Sequence, residues 1–241
     1  MRILIIRHAD PDYENDSLTA KGRTEAELLA KRLKNEGIDR FYCSPLGRAQ
    51  ETASYTMAEY GCTADTRQWL REFHAPVYNE YKGRPGVPWD MLPSDWTNEP
   101  FYYDKDKWCE VQRMSGADAG REAQWVYNGI DELLEENGYV REGNIYRPVG
   151  PNRSTIALFC HFGVECVILG HLLGISPVVL WQGACALPSS VTTLYSEERR
   201  KGTAYFRMCA FGDTGHLYAY DTAPSFSARF CETFDSDERH D

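Results

Sequence analysis

No stretch of this 241-residue chain approaches the roughly 20 consecutive apolar residues of a membrane-spanning helix. The apolar run from Ile3 to Ile6 is also too short for a secretory h-region. Clustered cations are missing as well. The net charge is −10, with no basic block or stripe. That argues against nucleic acid or a membrane surface as partner, because phosphate backbones demand grouped Lys and Arg. A small phosphorylated ligand needs only a few local cations and stays open. The eight cysteines (Cys43, Cys62, Cys109, Cys160, Cys166, Cys185, Cys209, Cys231) contain no Cys-x-x-Cys pair. Reduced thiols in a cytoplasmic protein are therefore expected, rather than a disulfide framework or a zinc site. There is no internal repeat and no low-complexity tract. Apolar material is plentiful: 42% hydrophobic and 13% aromatic residues are enough for a sizeable core and exclude disorder.

Ile3–Ile6 is a continuous apolar run with a β-branched bias, the pattern of a strand buried on both faces. "LTAKGRTEAELLAKRLKNEG" follows, with Thr19 as N-cap, Ala26, Leu29, Ala30 and Leu33 on one helical face, and Gly37 as stop. Asp39–Cys43 reads as a second strand. Ser44-Pro45 then opens a helix, as N-cap and first helical residue, that runs to about Tyr60. A third strand is expected around Cys62–Arg67. A helix returns over Arg121–Glu136. "STIALFCH" is the strongest strand pattern and feeds the apolar helix "GVECVILGHLLG". "SSVTTLYSE" and "TAYFRMCAFG" read as two strands joined by "ERRKGT". The acidic end "TFDSDERHD" is expected to fray. Strands alternating with helices predict an α/β fold with a mostly parallel, mixed central sheet and helices on both faces.

Two of these strands end in histidine, His8 and His161, and a third leads into a helix whose first turns carry Arg48. Ligands of open parallel sheets bind beyond the C-terminal strand edge, so Arg7, His8, Arg48 and His161 are predicted to converge there. Two guanidinium forks suit a phosphate monoester. A neutral imidazole is a competent nucleophile toward phosphorus, provided that its other ring N–H has an acceptor. Protonating the leaving alkoxide needs an acid. Glu72, in "QWLREFH", is the first candidate, with Asp10, Glu80 and Glu165 as alternatives. No metal-ligand cluster is visible, and neither metal nor cofactor is called for.

"LIIRHADPDYENDSLTAKGRTEAELLAKRL", "YCSPLGRAQETA", "WLREF", "CHFGVECVILGHLLG" and "FGDTGHL" together resemble the successive signatures of the histidine phosphatase superfamily, with its phosphoglycerate mutase-like fold. The resemblance runs in order from Met1 to about Leu217. It implies His8 as the phosphorylated nucleophile, Arg7, Arg48 and His161 as the rest of the phosphate pocket, and Glu72 as acid/base. His161 is followed by Phe162 and not by Asp, which resembles the mutase-type branch, whose acid comes from mid-sequence. The phosphate-touching Asn of the family's mutases falls at Glu14, with Asn15 adjacent. Phe162 stands where Gly is common, and either shapes the leaving-group site or packs beneath it.

One domain is expected over residues 1–241, with an insertion at about 73–120 as a cap. Trp89, Trp96, Phe101, Tyr102, Tyr103 and Trp108 mix there with prolines. They form either a mini-core of the cap or the walls of a substrate-selecting lid. Lys82, Arg84 and Arg113 are its cations for a second anionic group. Arg23 is expected to pair with an acid and His216 to hydrogen-bond within the fold. The resulting expectation is a metal-independent phosphomonoester hydrolase with a phosphohistidine intermediate and a small phosphorylated metabolite as substrate. The rivals are a phosphoglycerate-type phosphomutase and, in another class, an inactive module that binds phosphorylated ligands.

Overall fold

In the computed structural model, which describes residues 1–226, 229–236 and 238, the first apolar run becomes strand β1 (Arg2–Arg7). After it come helix α1 (Ala20–Leu33), β2 (Arg40–Cys43), α2 (Gly47–Tyr60) and β3 (Asp65–Thr66). Beyond the insertion lie α3 (Ala119–Glu136), β4 (Tyr139–Glu142), β5 (Ile145–Pro148), β6 (Thr155–Cys160), α4 (Phe162–Leu173), α5 (Pro177–Gly183), β7 (Val191–Arg200) and β8 (Thr203–Asp213). The eight strands form one mixed sheet in the order β3-β2-β6-β1-β7-β8-β5-β4. Its first four strands are mutually parallel; from β7 onward the pairing is antiparallel. Of the acidic end, Asp237, Arg239, His240 and Asp241 lie outside the described residues. No helix among the described residues is long and apolar enough to cross a membrane.

Strand alternation splits β1 between two cores. Ile3 and Ile5 join Ile156, Leu158, Val126 and Ile130 on the α3/α4 side, whereas Leu4 and Ile6 join Phe159, Leu29, Leu33 and Ala53 on the α1/α2 side. Both faces are thus covered, which is why β1 and β6 read as unbroken apolar runs. Helix α4 is buried almost throughout and is apolar all round for the same reason.

Several boundaries differ from the expectation. Ser44 does not cap α2. Leu46 takes that position, because the Ser44 hydroxyl accepts from Leu46 N and bonds the His161 ring. The third strand shrinks to Asp65–Thr66, paired with Tyr42 and Cys43 at the sheet edge. The β4/β5 hairpin and α5 carried no reading in the sequence. Its turn uses Gly143 at φ 60°, and α5 starts from Ser176, whose hydroxyl accepts from Val178 N. The insertion contains a small hairpin, Val77–Asn79 with Arg84–Gly86, and several one-turn helices. Tyr102 and Trp108 are buried in the same cluster as the sheet, so the cap shares the main core and has no separate one.

Candidate active site

The register of the parallel strands brings the site together. Arg7 on β1 is level with Cys160 on β6, and Cys43 on β2 is level with Phe159. The residues that follow these strand ends, His8, His161 and Ser44, therefore emerge side by side. The His8 N–H donates to the Cys160 carbonyl (3.0 Å), and the Ser44 N–H to the Phe159 carbonyl (2.9 Å). The two imidazole centroids are 5.0 Å apart. His8 and His161 are 1% and 0% exposed.

Burial sets the chemistry of these groups. Desolvation, then the charge of Arg7 and of Arg48, holds His8 well below the ordinary histidine range; only its Ala9 hydrogen bond opposes this. For His161 the causes are desolvation, then His8, Arg48 and Arg7. Both rings are neutral at physiological pH. Nδ1 of His8 lies 2.8 Å from the Ala9 carbonyl oxygen. A carbonyl only accepts, so Nδ1 carries the proton and Nε2 keeps a free lone pair. His161 Nε2 contacts the Ser44 hydroxyl at 2.7 Å, while its Nδ1 is buried without a protein partner.

The cations are held from opposite sides. Arg7 donates to the Ala186 carbonyl (2.6 Å). Arg48 Nη1 donates to Asp16 Oδ1 (2.6 Å), and the other oxygen of Asp16 accepts from the Gly47 N–H at the start of α2 (2.7 Å). A Cβ at position 47 would overlap the Asp16 carbonyl, so Gly47 lets the first loop close onto this helix end. Asp16 itself has φ 47°, a turn conformation in which short Asx side chains are enriched.

Glu72 is half-buried. Its Oε1 accepts from Phe73 N (2.8 Å) and from Val164 N (3.2 Å) in the first turn of α4. Burial raises its proton affinity, against lowering by the Phe73 hydrogen bond, Arg7 and Arg48. The cap reaches it through Trp89. A Cβ on Gly163 would overlap the outer edge of the Trp89 ring and lie 2.7 Å from Glu72 Oε1, so only Gly admits both.

Among the alternative acids, Glu80 pairs with Arg113 at 3.0 Å, and Asp10 accepts from the Thr19 hydroxyl at 2.7 Å. Glu165 is 1% exposed. Burial pushes it up to about 7, with Glu72 acting in the same sense and the Thr192 hydroxyl and Arg7 opposing.

The structure thus gathers Arg7, His8, Arg48, His161, Glu72 and Phe162. It leaves Glu14 and Asn15 exposed at the loop tip, with Asn15 Nδ2 donating to Asp12 (2.8 Å). Asp16 takes the pocket position instead, because the tip folds back on the Asp12 carboxylate, which also accepts from Glu14 N. Arg23 pairs with Glu51 (2.8 Å), and His216 contacts the Ser189 hydroxyl (3.1 Å). Among the described residues no group of three or more His, Cys, Asp or Glu is placed to hold a metal ion.

Two arginines, two neutral imidazoles and a carboxyl of raised proton affinity meet at one sheet edge, an arrangement able to hold an anion and to move a proton. The chain belongs to the histidine phosphatase superfamily, branch 1, which it matches over residues 3–137. It is 32% identical over 89 residues to a probable phosphoglycerate mutase of Serratia proteamaculans, a match that spans 41% of that relative's length. Phosphoserine phosphatase 1 of Hydrogenobacter thermophilus is 24% identical over 212 residues, 83% of this chain and 89% of that one. The fold is that of phosphoserine phosphatase from Entamoeba histolytica, solved as a variant with phosphoserine (TM-score 0.58, 15% identity, covering 90% of this chain and 98% of that one). It is likewise that of a mycobacterial glucosyl-3-phosphoglycerate phosphatase solved with VO3 (TM-score 0.58, 19% identity, 88% and 99%).

Proposed function

We propose that the chain hydrolyses phosphomonoesters of small metabolites through a phosphohistidine on His8, without a metal or cofactor. The observation that carries this reading is the His8 ring itself: buried, neutral, and with its proton on the nitrogen bound to Ala9. Nε2 attacks phosphorus while Arg7 and Arg48 neutralise the equatorial oxygens. His161 donates from Nδ1 to a phosphoryl oxygen, and Ser44 donates to Nε2 to fix that tautomer. Glu72, whose proton affinity is raised by burial, gives its proton to the leaving alkoxide. It then takes one from the water that attacks the phosphohistidine, which returns His8 and releases phosphate. The relatives named for phosphoserine and glucosyl-3-phosphoglycerate phosphatases support hydrolysis. Eight scattered cysteines without a Cys-x-x-Cys pair suit a reducing compartment such as the cytoplasm.

The test is a screen of phosphorylated metabolites with chelator present, using wild type and His8→Ala. Phosphate release by wild type, lost at least 1000-fold in the variant, is expected. Equal activity in the variant, or a strict need for added Mg²⁺, would overturn the mechanism. Conversion of 3-phosphoglycerate with a bisphosphate primer, faster than hydrolysis of every monoester, would assign the mutase role instead.

A further inference from the structure

Three rings from three distant segments surround the reacting groups. Tyr13, on the first loop, is 65% exposed, stands edge-on to His8 with centroids 6.5 Å apart, and lies under the Arg48 guanidinium at 5.4 Å. Phe162 opens α4, with its ring centroid 5.9 Å from Arg7 Cζ. Trp89 comes down from the cap, perpendicular to Phe162 at 6.0 Å, and fills the space above Gly163 beside the Glu72 carboxyl. A leaving oxygen within reach of Glu72 therefore sends its substituent out past Trp89, and Tyr13 flanks the nucleophile.

The charges around this exit are unfavourable to a second anion. Arg7 and Arg48 are committed to the phosphate. In the cap, Lys82 is tied to Asp90, and Arg113 is held between Glu80 (3.0 Å) and Asp95 (3.2 Å). The loop that carries Tyr13 adds Asp10, Asp12, Glu14 and Asp16. A carboxylate or second phosphate on the substrate would meet like charges there, and like charges disfavour its ionised form.

Resting on the phosphatase reading above, we propose that this site selects monoesters of uncharged aromatic alcohols and rejects those with a second anionic group. Trp89 and Tyr13 supply the stacking faces, Phe162 backs the phosphate end, and the acidic loop supplies the rejection. Each aromatic contact adds roughly three- to tenfold in selectivity beyond simple burial, and two contacts compound to about tenfold or more.

The experiment compares benzyl phosphate, ethyl phosphate, phosphoserine and 3-phosphoglycerate. Benzyl alcohol and ethanol are leaving groups of similar basicity, so the comparison reads recognition and not bond cleavage. Benzyl phosphate should exceed ethyl phosphate about tenfold or more in kcat/KM, and 3-phosphoglycerate should fall below both. Trp89→Ala and, on the exposed side, Tyr13→Ala should each shrink the benzyl-to-ethyl ratio several-fold, and Trp89→Phe should keep most of it. Calorimetric titration with benzylphosphonate and ethylphosphonate gives the same comparison without turnover, in wild type and in His8→Ala.

Equal binding of the two phosphonates, or a preference for 3-phosphoglycerate, would overturn the inference while leaving the phosphatase reading intact. If that preference vanished in Arg84→Ala, the exposed hairpin arginine would be the seat of a second anion site. Tighter benzylphosphonate binding in a wild type that hydrolyses nothing would sustain the inference and sink the phosphatase reading.

Discussion

Glu165→Gln should make the protein more stable at high pH, and the size of the gain can be worked out. The carboxyl is 1% exposed, so bulk solvent screens little of its environment. Its folded value of about 7 stands against the ordinary 4.5. Below about pH 4.5 it is protonated both folded and unfolded, and contributes no pH dependence. Between about 4.5 and 7 the unfolded chain has already released this proton while the folded state keeps it. Folding is penalised progressively over that window, and the penalty is complete above about pH 7. At 1.36 kcal/mol per unit the full penalty is about 3 kcal/mol. Gln keeps the shape without the charge. The stability of the variant minus that of wild type should therefore rise by about 2–3 kcal/mol between pH 5 and pH 8, or roughly 5–10 °C in Tm for a chain of this size. Urea unfolding followed by tryptophan fluorescence at both pH values measures it. Only the difference matters, because His8, His161 and Glu25 titrate alike in both proteins. A difference that stays flat with pH would refute the reasoning.

Three further outcomes follow from the site. His8 is held below the ordinary histidine range, and its ring must be unprotonated to attack. The acid limb of kcat/KM, corrected for the substrate's own second ionisation, should therefore lie below pH 6.5; a limb at or above that value contradicts the burial argument. Gly163→Ala pushes Trp89 off the Glu72 carboxyl and should cut kcat about tenfold or more, while the far-UV spectrum stays native; unchanged turnover would show that Trp89 plays no part at the acid. Asp16→Asn keeps an acceptor for only one of Arg48 and Gly47, each of which now has its own Asp16 oxygen, and removes a negative charge beside the incoming phosphate. The loss of repulsion toward the dianion should outweigh the one hydrogen bond given up, about 1 kcal/mol, and vanadate should inhibit several-fold more tightly; weaker inhibition would mean that Asp16 chiefly orients Arg48.

How much of this was legible in the sequence depended on the kind of signal each residue carries. β1 and β6 announced themselves because strands buried on both faces have no polar face to interrupt the run, and their ends fixed the convergence of Arg7, His8 and His161. Arg48 was legible from its place one turn into a helix. Asp16 was not: Glu14, Asn15 and Asp16 are equally polar, and only the turn at φ 47° decides which one faces Arg48. Ser44 looked like an ordinary helix cap, since nothing local reveals that a histidine 117 positions away competes for its hydroxyl. Trp89 was one of nine large aromatics in an aperiodic insertion, and its role follows from Gly163, a partner that no pattern within the insertion points to. The hairpin β4/β5 lacked a reading because its strands are four residues each, too short for alternation to outweigh the surrounding loop signals.

The pattern of burial also bears on why a monoester should be the substrate. Arg7 and Arg48 are 5% and 9% exposed, and burying two cations is costly unless something opposes them. The usual opponents inside a protein are ionised carboxylates, yet the two nearest ones, Glu72 and Glu165, have their proton affinities raised, and both imidazoles are neutral. Asp16 at the rim pairs with Arg48, and its side chain is 43% exposed. Raised proton affinities at Glu72 and Glu165 and two neutral imidazoles thus favour an excess of positive charge around the two guanidinium groups, where water reaches poorly. A monoester dianion fits that excess, and each guanidinium–phosphate contact is strengthened by the same low dielectric. A diester carries only one charge and would leave part of it uncompensated. Its second substituent would also have to enter beside His161, which is fully buried. Under the proposed mechanism, selection for the dianion is thus built into the strand ends, before the cap has any say over the alcohol.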